Sequence, residues 1–345
     1  MTDVLQQSTF LKACRGEPTD YTPIWLNRQA GRYMPEYHQV KSDTPSLDFF
    51  KTPHLAAQAT CDAQRILGVD AAIMFADLLP ILEPMGLDLD YIPGTGPNIS
   101  NPIRTHQDID NIRLAESAES MPYIAEVIRL IRSELPGDIP LIGFGGAPFT
   151  LASYAIEGKG SRNYVFVKQM MYSDAAAWHS LMTKVTDAVI NYMQYQIASG
   201  VQAIQLFDSW VGCLSPRDYR EFVMPHSKRM LDAVGGSVPV IHFGTGNPAL
   251  NELMAEAGGD VIALDWRSPL IETWDKMGVK AVQGNLDPIV LCGSLEGVKT
   301  QAKYLLDEVD GRPGHIFNLG HGIIPETPVE NVKALVDFVH EYSSR

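Results

Sequence analysis

The sequence has no run of about 18 apolar residues, the length that a membrane-spanning helix needs. Its first six residues have neither the basic start of a secretory signal nor the Arg- and Ser-rich composition of a transit peptide. Internal repeats and low-complexity tracts are missing as well. We therefore expect a cytoplasmic protein that has no membrane partner.

Basic residues are scarce relative to acidic ones. The chain has 27 Lys and Arg residues against 41 Asp and Glu residues, which gives a formal net charge of -14. This charge disfavours nonspecific binding to nucleic acid or to anionic membranes. It would also repel an anionic substrate, so a site for one must be local and built from a few arginines.

Cysteines are few and far apart: Cys14, Cys61, Cys213 and Cys292. None belongs to a Cys-x-x-Cys pair, which argues against a structural zinc site or a redox dithiol. We expect four reduced cysteines that serve as packing residues, and no bound metal.

Eight short apolar runs recur along the 345 residues, separated by stretches with helical spacing. Such runs are typical of parallel strands that are buried on both faces. We predict an α/β fold of the (β/α)8 TIM-barrel type, formed as a single domain by residues 1–345. The predicted strands are residues 24–26, 71–75, 141–144, 203–207, 238–242, 261–264, 279–283 and 315–319.

The clearest helix signal spans residues 174–199, where apolar residues recur every three or four positions before Gly200. Residues 79–120 are rich in Pro, Gly and Asn, and we interpret them as an insertion after the second strand. Helix starts are predicted at Thr52-Pro53, at Ser215-Pro216 and at Thr327-Pro328, where Glu330 completes a capping box.

Polar residues follow the predicted strands. Because the carboxyl ends of parallel strands meet at one rim, these residues should converge on a common mouth. Arg28 and Arg32, held by a turn that contains Gly31, suit a multiply anionic ligand because a guanidinium group binds a carboxylate bidentately. The other candidates at this rim are Asp77, Tyr154, Asp208, Ser209, His242, Thr245, Asn247, Asp265, Asn285, Asp287 and His321.

Three of these residues also have structural interpretations. Arg28 or Arg32 could pair with an acid such as Asp77 in a buried network. Asp77 could work as an acceptor, an acid or a base in a dry setting, or it could cap the loop that follows it. The sequence alone leaves these alternatives open.

Glycines mark two further segments. Residues 145–150, Gly-Gly-Ala-Pro-Phe-Thr, could form an anion-binding nest, a helix start or an ordinary turn. His321 lies between Gly320 and Gly322, which fits a ligand contact or a proton donor better than a packed core histidine. His242 could be a ligand contact or a hydrogen-bonded barrel residue.

Six segments together resemble the uroporphyrinogen decarboxylase family, and the agreement spans nearly the whole chain. They are PIWLNRQAGRYMPEY (23–37), GFGGAPFTLASY (143–154), FDSW (207–210), HFG (242–244), QGNLDP (283–288) and FNLGHGI (317–323). One departure is Asn27, where the family usually has an apolar residue. We expect this difference to affect only local packing.

The resemblance implies a homodimeric (β/α)8 barrel that removes carbon dioxide from the four acetate side chains of uroporphyrinogen III. The product is coproporphyrinogen III, an intermediate of haem and related tetrapyrrole biosynthesis, and no metal or organic cofactor is implied. The substrate-binding residues that it implies are Arg28, Gln29, Ala30, Gly31, Arg32, Asp77, Tyr154, Ser209 and His321, with Asp77, Arg28 and Arg32 as the catalytic ones.

The residue types agree with this chemistry. Uroporphyrinogen carries eight carboxylates around four pyrrole N–H groups, so a binder needs arginines at the periphery and an acceptor at the centre. We hypothesise that Asp77 accepts the pyrrole N–H bonds and stabilises a protonated pyrrole, which acts as the electron sink for decarboxylation. Arg28, Arg32 and His321 are candidate proton donors, although we expect His321 to bind a substrate side chain.

Two other functions are compatible with parts of the sequence. A zinc-dependent methyltransferase of the same barrel superfamily needs cysteine ligands near the strand ends, but Gly244 stands two residues after His242, and Cys213 and Cys292 lack partners at ligand spacing. A noncatalytic tetrapyrrole-binding protein could use the same arginines and Asp77. Release of carbon dioxide from uroporphyrinogen distinguishes all three functions.

Overall fold

A computed structural model describes residues 3–92 and 94–345. Its strands are β1 (Ala72–Ile73), β2 (Leu89–Ile92), β3 (Gly96–Ile99), β4 (Leu141–Gly146), β5 (Ala203–Asp208), β6 (Val240–Gly244), β7 (Val261–Ala263), β8 (Ala281–Gln283) and β9 (His315–Ile316). Seven of them form a parallel sheet in the order β1-β4-β5-β6-β7-β8-β9, and β2 pairs with β3 in an antiparallel hairpin. The predicted α/β class is confirmed, and a parallel sheet that follows chain order fits a TIM-like barrel.

The first predicted strand is an extended segment that contacts both ends of this sheet. Ile24 makes a parallel bridge with Phe317, which directly follows β9. The Phe317 N–H donates to the carbonyl of Pro23 (2.8 Å). The Asp70 N–H, just before β1, donates to the carbonyl of Ile24 (2.9 Å).

Helices surround the sheet and alternate with its strands. The α-helices are α1 (Asp3–Gln6), α2 (Thr9–Cys14), α3 (Pro35–Lys41), α4 (Ser46–Lys51), α5 (Pro53–Leu67), α6 (His106–Asp110), α7 (Ser117–Ser120), α8 (Tyr123–Glu134), α9 (Pro148–Glu157), α10 (Val165–Ser173), α11 (Ala175–Ser199), α12 (Pro216–Asp218), α13 (Met224–Val234), α14 (Asn251–Ala257), α15 (Leu270–Met277), α16 (Leu295–Val309) and α17 (Val329–Ser343). Short 3-10 turns cover Pro80–Leu82, Val211–Cys213, Pro248–Leu250 and Pro288–Cys292, and a π-helical turn covers Tyr219–Val223.

The long helix predicted at residues 174–199 is α11. Asp174 caps its first turn by accepting a hydrogen bond from the Ala177 N–H (3.0 Å). The helix ends at Gly200, whose φ of 110° is one that L side chains rarely adopt. Both boundaries therefore lie where the sequence pattern placed them.

The three predicted helix starts differ in their caps. Ser215 accepts a hydrogen bond from the Asp218 N–H (3.1 Å), as predicted. Thr52 precedes α5, but its hydroxyl donates to the carbonyl of Asp48 and does not cap the helix. The predicted capping box at Thr327 is wrong. The carbonyl of Pro328 accepts the first hydrogen bonds of the helix, so Pro328 and not Thr327 is the N-cap of α17.

A chain of buried amides crosses the interior of the sheet. Trp25 Nε1 donates to Gln283 Oε1 (2.9 Å), Gln283 Nε2 donates to Gln205 Oε1 (3.0 Å), and Gln205 Nε2 donates to Asn27 Oδ1 (3.0 Å). A buried carboxamide needs such partners, because leaving a buried donor unpaired costs roughly 1–3 kcal/mol. Asn27 therefore changes more than local packing: it supplies the acceptor for Gln205.

The four cysteines are free. Cys14 and Cys61 are buried and Cys213 is half-buried, in agreement with a packing role. That prediction is wrong for Cys292, which ends a 3-10 turn at the surface and is exposed. Within residues 3–92 and 94–345, no group of three or more His, Cys, Asp and Glu side chains could hold a metal ion, and no helix is long and apolar enough to cross a membrane.

Candidate active site

The loop after the first extended segment presents Arg28 in a left-handed conformation, with a φ of 62°. This conformation costs a non-glycine residue roughly 1–2 kcal/mol, so the surrounding loop must enforce it. The Gln29 side chain provides this restraint: it accepts from the Leu26 N–H (3.1 Å) and donates to the carbonyl of Ala71 (3.1 Å). The Tyr33 hydroxyl also donates to the carbonyl of Gln29 (2.7 Å).

The backbone angles and the hydrogen bonds distinguish the residues of this loop. The residue with the unusual backbone is Arg28, because Gly31 does not have a positive φ. Gln29 is 1% exposed and its carboxamide is engaged within the protein, so its side chain is not free to bind a substrate. Ala30 and Gly31 are half-buried beside it.

The side chains of Arg28 and Arg32 are exposed. Neither forms an ion pair with any carboxylate of the described residues. The alternative of a buried network with Asp77 is therefore wrong. Two permanent positive charges lie on one loop with no carboxylate partner in the described part of the chain, an arrangement that suits an anionic ligand.

Asp77 lies four residues beyond β1 and is half-buried. Its Oδ1 accepts hydrogen bonds from the Tyr91 hydroxyl (2.6 Å) and from the Leu79 N–H (3.1 Å). Burial raises the pKa of this carboxyl group, while the bonds from Tyr91 and Leu79 and the charge of Arg28 oppose the rise. A carboxylate has about four acceptor sites, so Asp77 keeps acceptor capacity beyond its cap-like bond to the loop.

Tyr154 lies on α9 near Asp77. Its ring stacks on Trp210, with the ring centroids 3.7 Å apart. Burial and the nearby charge of Asp77 raise the pKa of Tyr154 to about 12, although Arg28 acts in the opposite direction. The hydroxyl therefore stays protonated at neutral pH and can donate. Ser209, half-buried, directly follows β5 and precedes Trp210.

The glycines around residue 145 serve helix packing. Gly143 and Gly145 are part of β4, and a Cβ atom on either would lie 2.5 Å from a side-chain atom of Gln196 or Met193 on α11. The nest interpretation is therefore wrong. The helix-start interpretation is right, since α9 begins at Pro148.

His321 sits between two other loops of the rim. A Cβ atom at Gly320 would lie 2.3 Å from the Trp266 nitrogen, and one at Gly322 would lie 2.4 Å from Arg28 Cδ. The two glycines thus allow the close approach on either side that the sequence suggested. Burial, helped by the charges of Arg28 and Arg267, lowers the pKa of His321 to about 4 despite Asp265. The imidazole is neutral at neutral pH, which disfavours it as a cationic proton donor.

Asp208 lies at the end of β5 but does not reach the mouth. It is fully buried, and its Oδ1 accepts from the Thr150 hydroxyl (2.7 Å). Burial raises the pKa of Asp208 to about 7. Through Thr150, this carboxyl group holds the first turn of α9.

The other rim candidates hold loops together. His242 is fully buried, its Nδ1 lies 3.1 Å from the carbonyl oxygen of Gly258, and burial lowers its pKa to about 4, so it is a barrel residue. The remaining ones bond to neighbouring turns: Thr245 to Asp265, Asn247 to Leu214, Asn285 to Asp265 and Ser268, and Asp287 to Ile289.

Sequence reasoning missed two residues at this mouth. Tyr91 lies in the β2–β3 hairpin and donates to Asp77, which is 14 positions earlier in the sequence. No local sequence pattern predicts this contact. Arg267 stands two residues after Asp265, in the loop that follows β7. Asp265 was selected because polar residues that follow parallel strands converge on one rim. The same reasoning could have identified Arg267.

The assembled mouth combines complementary groups. Its edge carries a neutral imidazole and the guanidinium groups of Arg28 and Arg32, which lack a carboxylate partner in the described part of the chain. Deeper inside lie a carboxyl group with a raised pKa and a phenol that can donate. Such a site can hold a ligand that is anionic at its periphery and offers N–H donors at its centre.

Known proteins match both the sequence and the fold. The family model described as uroporphyrinogen decarboxylase (URO-D) matches residues 5–342. The uroporphyrinogen decarboxylase of Carboxydothermus hydrogenoformans is 52% identical over 97% of this chain and 97% of its own length. That of Sorangium cellulosum is 52% identical over 96% of this chain and 95% of its own.

A solved structure described as a methyltransferase from Methanosarcina mazei covers 98% of this chain and 99% of its own, with a TM-score of 0.82. Its sequence is only 22% identical, so this likeness shows the fold alone. The names of the sequence relatives do not favour the methyltransferase alternative. The chain belongs to the uroporphyrinogen decarboxylase family.

Proposed function

We propose that this chain converts uroporphyrinogen III to coproporphyrinogen III by removing carbon dioxide from its four acetate side chains. The observation that carries the proposal is that one mouth holds both Asp77, half-buried and with a raised pKa, and two exposed arginines, Arg28 and Arg32. Neither arginine has a carboxylate partner among the described residues. A flat, highly anionic ring with central N–H donors matches this distribution of charge.

Binding uses the edge of the mouth. Arg28 and Arg32 bind substrate carboxylates through charge-assisted hydrogen bonds. His321, neutral between its two glycines, forms a hydrogen bond with a substrate side chain, and Tyr154 and Ser209 contribute hydroxyl groups. The backbone of residues 29–31 completes the loop against the substrate.

Catalysis centres on Asp77. Its carboxylate accepts the pyrrole N–H bonds and stabilises the positive charge that develops when a pyrrole carbon is protonated. The C–C bond to the acetate carboxylate then breaks, its electron pair enters the protonated ring, and carbon dioxide leaves. A second proton converts the exocyclic carbon to a methyl group, and the ring carbon then loses the proton it had gained, which restores the neutral pyrrole. The ring itself thus supplies the electron sink, and the proposal includes no cofactor.

The proposal extends to architecture and assembly. The segment around Ile24 is the eighth strand of one (β/α)8 barrel domain, supported by its hydrogen bonds to both ends of the sheet. Residues 79–120 form an insertion that brings Tyr91 to Asp77. We propose a cytoplasmic homodimer, by analogy with the family.

The test is an anaerobic assay of uroporphyrinogen III that follows carbon dioxide release and separates porphyrins by carboxylate number. The wild-type chain should yield the tetracarboxylate product, and Asp77→Asn should retain the fold with at least about 100-fold lower turnover. Asp232→Asn, which changes an exposed aspartate on α13, is the matched control and should remain active. A tetrapyrrole-binding protein without activity would bind the substrate and release no carbon dioxide.

A further inference from the structure

One basic side chain at the mouth has no assigned role. Arg267 lies just beyond the end of β7, and its side chain is 45% exposed. It is nevertheless held on two sides: Nη1 donates to Asp265 Oδ2 (2.8 Å), and Cζ lies 4.0 Å from the ring centroid of Trp266. An exposed arginine is usually mobile, so a guanidinium group fixed in this way is already oriented for a ligand.

Asp265, which accepts from Arg267, is itself held in place by several hydrogen bonds. Asp265 is 3% exposed and also accepts from the Thr245 hydroxyl (2.9 Å), the Gly246 N–H (2.5 Å) and the Arg267 N–H (2.8 Å). These bonds tie the loop after β6 to the loop after β7. The arginine head is therefore fixed to two strand ends at once.

Most of the hydrogen-bonding capacity of Arg267 is unused. A guanidinium group has five N–H donors, and Asp265 is the one acceptor that bonds to it among residues 3–92 and 94–345. The unused donors can form a bidentate pair with a carboxylate. Asp265 therefore orients the guanidinium group and leaves most of its N–H donors free for a ligand.

Arg267 and Arg28 flank His321. The backbone of Gly320 packs on Trp266, and Gly322 packs on the side chain of Arg28. The charges of both arginines act on the imidazole of His321, where they help to lower its pKa. The positive edge of the mouth thus continues from the Arg28 loop, past His321, to the end of β7.

We propose that Arg267 is a further substrate-binding residue, which binds one carboxylate of the tetrapyrrole on the far side of His321 from Arg28. This inference rests on the proposed function. Carboxylates project from the whole periphery of uroporphyrinogen, so one arginine-bearing loop cannot bind them all. A third guanidinium group, on a different strand end, binds a carboxylate that Arg28 and Arg32 do not reach.

The test compares Arg267→Gln with a matched control. Arg312→Gln changes an arginine in the same local setting, with Cζ 4.0 Å from the ring centroid of Trp274 and Nη1 2.6 Å from Asp275 Oδ1, but on a turn that precedes β9. Arg267→Gln should raise KM for uroporphyrinogen about tenfold and leave kcat within about twofold, because binding lost equally from ground and transition states raises KM alone. Arg312→Gln should leave both constants unchanged.

Further measurements separate binding from a structural role. The KM of Arg267→Gln should depend less on salt than that of the wild type, and its Tm should fall no more than that of Arg312→Gln. A KM within about twofold of wild type, or a fall in kcat that follows a fall in Tm, overturns the proposal. Suppose that the wild type releases carbon dioxide, that Asp77→Asn does not, and that Arg267→Gln has the same KM as the wild type. Arg267 then has no role in substrate binding, but the proposed function still holds.

Discussion

Two aspartates flank strand β1, and their environments differ. Asp70 precedes the strand, and its oxygens accept from the Tyr21 hydroxyl (2.8 Å) and the Ile24 N–H (2.7 Å) and lie 2.8 Å from Nε2 of His340. Asp77 follows the strand at the mouth, where Tyr91 and Leu79 are its hydrogen-bond donors and burial raises its pKa.

The difference distinguishes the two ends of β1. We call the amino end, around Asp70, the closed end, and the carboxyl end, around Asp77, is the mouth. Asp70 joins the extended segment at Ile24 and the C-terminal helix α17 to β1, so its bonds hold the fold together. Among residues 3–92 and 94–345, no cationic side chain lies within hydrogen-bonding distance of Asp77, and burial disfavours its ionised form. A carboxyl group kept in such a position costs stability and supplies a preorganised acceptor for a ligand.

The largest stability effect should come from the closed end. Asp70→Asn should lower the free energy of unfolding by about 2 kcal/mol, because it replaces the carboxylate that holds one buried and two half-buried hydrogen bonds. Its kcat, measured on the folded protein, should change little. Urea unfolding and steady-state kinetics test this, and a large loss of kcat with normal stability would contradict the division between the two ends.

At the mouth, Gly322→Ala should disturb substrate binding while every charged group is retained. The new Cβ atom would lie 2.4 Å from Arg28 Cδ, so the arginine side chain must move. We expect KM to rise about tenfold with a small change in Tm, since one carboxylate contact is misplaced. An unchanged KM would show that the position of Arg28 does not matter for binding.

The smallest effect concerns His340 at the closed end. Burial alone would lower its pKa, but its bond and charge interaction with Asp70 outweigh burial and raise the pKa above 6.5. The ion pair therefore stabilises the fold fully below that value and loses its effect as pH rises through the raised pKa. His340→Gln should be about 0.5–1 kcal/mol less stable than wild type near pH 5.5, and the gap should close near pH 8.5. Urea unfolding at both pH values measures it, and a gap that widens with pH would contradict this account.

The sequence predicts the positions of strands and helices better than it predicts which side chains are available to bind a ligand. Strand positions and the ends of α11 follow from local apolar patterns and from Asp174 and Gly200. The strand-end rule also locates Arg28 and His321 at one rim, because parallel strands share a direction.

The errors at the mouth concern contacts between distant parts of the chain. The carboxamide of Gln29 is engaged by Ala71, 42 positions away, and Tyr91 reaches Asp77 from a separate hairpin. The glycines of β4 face α11, which local sequence cannot reveal. Such contacts depend on how the elements pack, so a pattern that identifies each element does not predict them.

We infer that Asp77 is kept for its chemistry at the expense of stability. The most direct measurement is the turnover and thermal stability of Asp77→Asn at neutral pH, beside wild type. Removing a carboxyl group whose pKa is raised by burial should increase Tm, while turnover falls at least about 100-fold. A variant that keeps near-normal turnover, or one that loses stability together with activity, would contradict the account.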